Sequence, residues 1–282
     1  MPTVQTDDLA TYYESRGSGP PVVFVHGAIV DHTQWAPQAA ALADEYTTIS
    51  YDLRGHGRTG GSDRDAYSVE LFADDLRGLC EALGVERPVV CGLSLGGAIA
   101  QVYAARHPDR LAGLVLADTF GPEPLSRGER LQRRLLVRLV PLVRLVGYEW
   151  VERAMVAVQE RFDRGVSGNY GSIERIRAEG PRMATDEFDK VVRALAAYED
   201  VDVDLSTVAV PSLVLYGANE ASFIRLHVSR LASTLPDATV REVPGGGHAS
   251  NLDNPDFVTD ALREFLAGVD WSESRGPVVG DA

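Results

Sequence analysis

Hydrophobic and polar positions along the chain change period in a regular order. From Thr3 to Glu14 apolar and polar residues alternate on both sides of Asp7-Asp8, which predicts an antiparallel hairpin at a sheet edge. Val22 to Val25 is instead a continuous apolar run, as expected of a strand covered on both faces. Further strands are predicted at Thr47 to Tyr51, Val89 to Cys91, Leu111 to Ala117, Pro211 to Tyr216 and Ala238 to Val243. Helical spacing fills the intervals. Ser68 to Leu83 sets Val69, Phe72, Leu76, Leu79 and Leu83 on one stripe and stops at Gly84. Other helices are expected around Trp35 and the Ala39 to Ala43 run, and over Ala98 to Arg106, Ala221 to Leu235 and Pro255 to Leu266. Strands alternating with helices through short loops build a mostly parallel central sheet flanked by helices, an α/β architecture with right-handed crossovers.

The alternation stops between Gly121 and Leu205, where the pattern is helical with breaks near Gly165 to Gly171 and at Gly180-Pro181. An all-helical insertion between two parallel strands belongs over their carboxyl ends, where ligands bind in such sheets, and is expected to act as a lid. The domain plan is therefore a core of residues 1–120 and 206–268, a lid of 121–205, and a polar tail of 269–282 without fixed structure. Within the lid, Arg127 to Arg144 carries six arginines against Glu129, interleaved with leucine and valine. Such a helix can pair its arginines with an acidic body and turn its apolar face to a pocket, or lie on an acidic membrane surface; the first reading is preferred.

Composition narrows the partners. The chain has 282 residues, 45% hydrophobic and 24% charged, and a net charge of −14, with Lys190 the only lysine. That charge excludes a nucleic-acid partner, since no basic field is present to replace phosphate counterions. A small-molecule substrate is expected. The acidity and the arginine bias also suit a protein adapted to high internal salt. Leu135 to Val146, the most apolar stretch, is broken by Arg138, Pro141 and Arg144, so no stable membrane insertion is expected. Met1 to Tyr13 has neither the basic start nor the apolar run of a leader, which points to the cytoplasm. Cys80 and Cys91 are read as core fillers, and no metal site or cofactor is expected.

Chemistry concentrates at Cys91-Gly92-Leu93-Ser94-Leu95-Gly96-Gly97, a Gly-x-Ser-x-Gly turn between a buried strand and a helix. A serine at this corner must adopt a strained backbone that pushes its hydroxyl out at the end of the sheet, with glycines where side chains would collide. As a nucleophile, Ser94 needs a base, and His248 in Pro244-Gly-Gly-Gly-His248 stands in a loop after a late strand. His26 and His56 read as structural turn residues, while His32, His107 and His227 read as helix-surface or helix-end residues. The acid that orients the base is sought at the end of the strand before His248. Glu220 stands there, with Asp118, at the end of the strand after the elbow, as its rival. Oxyanion donors are expected from the backbone N–H groups of Ala28 and Leu95. Trp35, Phe120, Trp150, Tyr170 and Phe223 are candidate substrate-pocket walls.

With His26-Gly27, Asp52 to Gly57, Gly92 to Gly97 and Gly246-Gly247-His248 in this order, the chain resembles the α/β-hydrolase superfamily over about Leu9 to Leu266. It is similar to the single-lid branch that holds lactonases, esterases, haloperoxidase-like enzymes and carbon–carbon bond hydrolases. The elbow and Ala104-Ala105-Arg106-His107-Pro108 look most like 3-oxoadipate enol-lactonases. Glu220 departs from the aspartate usual in the family, which leaves Asp118 in contention. The resemblance implies a serine hydrolase that cleaves a small, largely apolar carboxylic ester or lactone through an acyl-enzyme. On the same frame the alternatives are a cofactor-free perhydrolase, a carbon–carbon bond hydrolase or lyase, and a slow-turnover ligand-sensing protein.

Overall fold

The computed structural model describes residues 2–124, 126–131, 138 and 170–277. β1 (Thr3–Thr6) and β2 (Leu9–Arg16) form the predicted hairpin, with Asp7 at φ 43° in the turn. The remaining strands are β3 (Pro21–Val25), β4 (Thr47–Tyr51), β5 (Val89–Leu93), β6 (Gly113–Ala117), β7 (Ser212–Gly217) and β8 (Ala238–Val243). They make one eight-stranded sheet in the order β1-β2-β4-β3-β5-β6-β7-β8, antiparallel at β1-β2 and β2-β4 and parallel elsewhere. The chain enters the parallel part at β3, steps out to β4, then crosses back to β5 and runs on to β8. The strand order thus reverses between β3 and β5, which is where such sheets open a ligand crevice at their carboxyl ends. Val25 is in register with Gly92, so the loops after both strands leave the sheet side by side.

Two apolar clusters cover the two faces. On one lie α1 (Ala36–Leu42) and the C-terminal helix Pro255–Ala267; on the other lie α2 (Val69–Leu83), α3 (Leu95–Arg106) and the helix Ser222–Thr234. α2 shows why these segments start and stop where they do. Ser68 Oγ accepts from the Leu71 N–H at 3.1 Å, and Gly84 at φ 67° closes the other end in the left-handed region. Its predicted stripe of Val69, Phe72, Leu76, Leu79 and Leu83 is buried. Cys80 and Cys91 are buried as well, and burial pushes the Cys80 thiol up to about 12.

The insertion between β6 and β7 is helical where described, with α4 (Tyr170–Glu179) and α5 (Thr185–Ala197). α5 docks on the loop after β4: the Tyr67 hydroxyl donates to Glu187, and Lys190 Nζ donates to Glu187 at 2.9 Å and to the Ser62 carbonyl at 3.1 Å. Trp150 and most of the arginine-rich stretch lie outside the described residues. Residues 269–277, expected as a loose tail, are held to the body. Trp271 Nε1 donates to the Leu266 carbonyl at 3.1 Å, Arg87 pairs with Glu273, and Arg275 bridges to Glu86. The polar composition of this segment hides a single aromatic anchor, Trp271, whose ring centroid is 5.8 Å from that of Tyr46. Among the described residues no helix is long and apolar enough to cross a membrane.

Candidate active site

The β5–α3 turn takes the geometry its glycines allow. Ser94 has φ 54° and ψ −113°, a conformation a non-glycine residue holds only when its surroundings impose it. They do so through backbone contact. A Cβ on Gly92 would lie 2.2 Å from the Gly96 carbonyl oxygen, and one on Gly96 would lie 2.1 Å from that of Val25. α3 therefore starts directly against the ends of β3 and β5, and Ser94 is left at the rim. Thr119 adds a clamp from β6, its Oγ1 donating to the Ser94 carbonyl at 2.7 Å.

The loop after β8 brings His248 to the same rim. Gly245 turns it at φ 74°, and the Asn219 N–H donates to the Gly246 carbonyl at 2.8 Å, binding it to the loop after β7. Gly217 allows that closeness, since a Cβ there would sit 2.3 Å from the Gly246 oxygen. Ser94 Oγ and His248 Nε2 are 3.0 Å apart, and His248 Nδ1 and Glu220 Oε2 are 2.9 Å apart. Glu220 is buried at 1% exposure, and its other oxygen accepts from the Ala221 N–H at 2.7 Å. Nδ1–H donates to this carboxylate, which leaves Nε2 as the acceptor facing the serine hydroxyl. Burial works against a charged imidazole here. The Glu220 carboxylate, with Asp118 behind it, outweighs that penalty and raises His248 to about 9.

Asp118, the rival acid, is fully buried and otherwise employed. Oδ1 accepts from the Gly217 N–H at 2.9 Å, and Oδ2 accepts from the Ser250 N–H at 3.0 Å and from Ser250 Oγ at 2.6 Å. It ties the end of β6 to both loops that carry Glu220 and His248. Burial and then the neighbouring Glu220 charge push its carboxyl up.

Beyond β3, His26 makes the tight turn that precedes Ala28. Its Nδ1–H donates to the Gly27 carbonyl at 2.7 Å, and its Nε2 accepts from the Leu53 N–H at 3.0 Å. Burial lowers this ring to about 4, so it is neutral and structural, as is His56, lowered to about 3. The Ala28 and Leu95 amides donate to no protein acceptor among the described residues. Leu95 opens α3, where the helix dipole favours negative charge.

The expected pocket walls divide. Phe120 and Phe223 are partly buried against the core cluster on the α3 face, and Phe120 meets Tyr198 edge-on at 6.1 Å. Trp35 does not belong with them. It is completely buried in the opposite cluster, packed on Phe24 at 5.1 Å with Nε1 donating to the Val25 carbonyl. Tyr170 is placed at the start of α4 by its backbone, and Trp150 lies outside the described residues.

Histidine placement also corrects two expectations. His32 and His227, read as helix-surface or helix-end residues, are both buried. His227 Nδ1 accepts from the Gly121 N–H at 3.1 Å and Nε2–H donates to Glu129 at 2.8 Å. His32 Nδ1 lies 2.7 Å from Asp52 and Nε2 lies 3.2 Å from Glu14. Each is buried by a distant carboxylate that local sequence does not reveal. Asp31, His32 and Asp52 cluster closely enough to suggest a cation site, yet both nitrogens of His32 already face carboxylates and Asp52 also accepts from the Arg58 N–H. Thr119, Ser250 and Gln101 carry no sequence signal of their own. Gln101 is buried, with Nε2 donating to the Phe120 carbonyl at 3.0 Å and Oε1 accepting from the Tyr198 hydroxyl at 3.3 Å.

A strand-to-helix serine, a late-loop histidine and a buried carboxylate in one hydrogen-bonded chain at the rim of this sheet define a class, and comparison with known families agrees. Residues 20–255 match the family described as the alpha/beta hydrolase fold, and the chain belongs to it. Among its relatives, a protein of Caulobacter sp. (strain K31) named "Putative carbamate hydrolase RutD" is 32% identical over 242 residues, 84% of this chain and 86% of that one. The structure of a thermophilic esterase from Thermogutta terrifontis superposes with a TM-score of 0.77 at 30% identity, over 94% of this chain and 97% of that one. An enol-lactonase from Burkholderia xenovorans LB400 shares the fold at a TM-score of 0.72 and 24% identity, over 94% of this chain and 100% of that one.

Proposed function

We propose that this α/β-hydrolase is a serine hydrolase of small, largely apolar carboxylic esters or lactones. The reading is carried by the Ser94–His248–Glu220 chain, with 3.0 Å and 2.9 Å links ending on a buried carboxylate. His248 Nε2 takes the Ser94 proton as Oγ bonds to the carbonyl carbon, and the negative charge that develops on the carbonyl oxygen is met by the Ala28 and Leu95 amides. As the tetrahedral species collapses, the C–O bond of the alcohol breaks and His248 returns the proton to the leaving oxygen. Water, deprotonated by the same nitrogen, then releases the acid from Ser94. Glu220 holds the imidazole tautomer and stabilises the imidazolium. The insertion of 121–205 is assigned the role of a lid, and Phe120 and Phe223 the role of apolar walls. A carbamate, the substrate class in the name of the Caulobacter relative, presents its carbonyl carbon to the same attack, with its alcohol or its amine leaving as His248 protonates it, so it belongs in the assay panel.

Labelling with a fluorophosphonate and peptide mapping tests the reading directly. Modification should fall on Ser94 and vanish in His248→Ala, and Ser94→Ala should hydrolyse neither esters nor lactones. A folded wild-type protein that is neither labelled nor active would overturn it.

A further inference from the structure

Ile29 immediately follows the Ala28 amide and sits at φ 64°. A β-branched residue is a genuine outlier in the left-handed region, and such a conformation persists only where its neighbours impose it. Among the described neighbours, α4 touches it. Arg177 Nε donates to the Ile29 carbonyl oxygen at 3.0 Å, across a separation of 148 residues. The contact is part of a wider seam. Gly180, just beyond α4, lies against Asp31, where a Cβ would come within 2.4 Å of the carboxylate oxygen. Asp31 in turn caps the short helix His32–Trp35, its Oδ1 accepting from the Thr33 N–H at 2.9 Å. The cavity between the two segments, lined by Ile29, Val30, Asp31, Ile176 and Gly180 among others, measures about 20 Å³, room for one water at most. The insertion therefore holds the loop after β3 at its strained residue and again two residues further on, at Asp31.

We propose that Arg177 is a positioning residue that, by holding the Ile29 carbonyl, fixes the backbone N–H of Ala28 at the oxyanion hole and couples the inserted helices to catalysis. The proposal rests on the serine-hydrolase reading above. The physical argument is one of direction. Ile29 in the left-handed region costs energy that a relaxed loop would regain by turning its peptide planes, and the Ala28 amide would turn with them. A guanidinium fixed to the Ile29 carbonyl opposes that rotation through a charge-assisted hydrogen bond. An amide misplaced by even a fraction of an ångström serves the tetrahedral oxyanion less well than it serves the planar substrate carbonyl, so the loss falls on turnover rather than on binding.

The test uses p-nitrophenyl butyrate as substrate and a butyl trifluoromethyl ketone, which adds to Ser94 as a tetrahedral adduct, as the probe of the oxyanion site. Arg177→Met keeps most of the stem, and its melting temperature reports folding. We expect kcat to fall about tenfold to a hundredfold with KM nearly unchanged, and ketone affinity to fall in parallel, short of the full effect of losing an oxyanion donor. Arg177→Lys, which retains a donor, should recover part of the loss. In an Ile29→Gly background, where φ 64° carries no side-chain penalty, Arg177→Met should cost less than in the wild type. This last comparison reads coupling through Ile29 and is blind to any other contact of Arg177. Wild-type kcat and ketone affinity in Arg177→Met, or an equal loss with Ile and with Gly at position 29, would overturn the proposal and leave the hydrolase reading standing. A wild-type enzyme that neither turns over the ester nor binds the ketone would overturn both. If Arg177→Met fails to fold, Arg177→Lys decides in its place: a loss of kcat and ketone affinity with Ile at position 29 that shrinks with Gly there supports the proposal, and no loss, or an equal one in both backgrounds, overturns it.

Discussion

At the scale of single residues, two buried carboxylates stand at the ends of adjacent strands and have different work. Glu220 faces His248, whereas Asp118 is spent on Gly217 and Ser250. Glu220→Gln should lower kcat by about 10⁴, as loss of a triad acid does, while leaving the fold intact. Asp118→Asn should act mainly on stability. Its amide would point N–H groups at N–H donors, at a cost of about 1–3 kcal/mol, which a thermal or urea melt would register. Activity near normal in Glu220→Gln with Asp118→Asn folded but inactive would reverse the assignment. The position of His248 also shifts the expected pH dependence away from the ordinary histidine range of pH 6 to 7. With the imidazole raised to about 9, the base is neutral only on the alkaline side, so kcat/KM should climb through that region, and Glu220→Gln should draw the limb back towards pH 6.5. A folded pKa above the unfolded one means that the Glu220–His248 pair contributes fully below about pH 6.5 and loses its contribution as pH rises through about 9. The melting temperature should therefore fall across the same interval in which activity grows.

At the scale of elements, the elbow depends on backbone-to-backbone approach. Gly96→Ala sets a Cβ 2.1 Å from the Val25 carbonyl oxygen, and neither β3 nor α3 can retreat without opening the sheet. The expected result is a loss at or beyond the upper end of overpacking costs, about 3 kcal/mol, or no soluble protein, read from expression and melting. Ser68→Ala is the mild counterpart. It removes only the cap of α2, and about 1 kcal/mol should be lost with activity preserved. The strands and helices that hold these features were legible from periodicity, with shifts of up to three residues at their ends. Tertiary contact set those ends. β5 runs on to Leu93 because β6 pairs it as far as Ala117, and α3 begins at Leu95 because the strained Ser94 turns the chain at once.

At the scale of the whole molecule, Arg54 is the buried joint between distant parts. It pairs with Asp8 of the hairpin turn at 2.8 Å and with Asp75 of α2 at 2.6 Å while itself fully buried. Arg54→Met should cost about 3–5 kcal/mol, because Asp75 is left buried without its partner. The deficit should persist in molar KCl, since buried pairs are little screened. The net charge of −14 should behave oppositely. Its repulsion is spread over the surface, and the wild-type melting temperature should rise with salt. A melting temperature unchanged between dilute buffer and molar KCl would remove the case for adaptation to high salt.

The sequence by itself determined the order of elements, the hairpin, the Ser94 elbow and the position of His248 in a glycine loop, because each depends on local constraints: periodicity, capping and the need for glycine where backbones touch. Glu220 was preferred over Asp118 on chain order alone, and what each carboxylate does could not be read, since each ends a parallel strand and only the hydrogen bonds around them differ. The burial of Trp35, His32 and His227, the attachment of Trp271, the clamp of Thr119 and the reach of Arg177 to Ile29 were decided by tertiary structure alone. Each of these contacts joins segments that the crossovers of the sheet bring together, and a side chain's burial or hydrogen-bond partner across such a distance leaves no mark on its immediate neighbours in the chain.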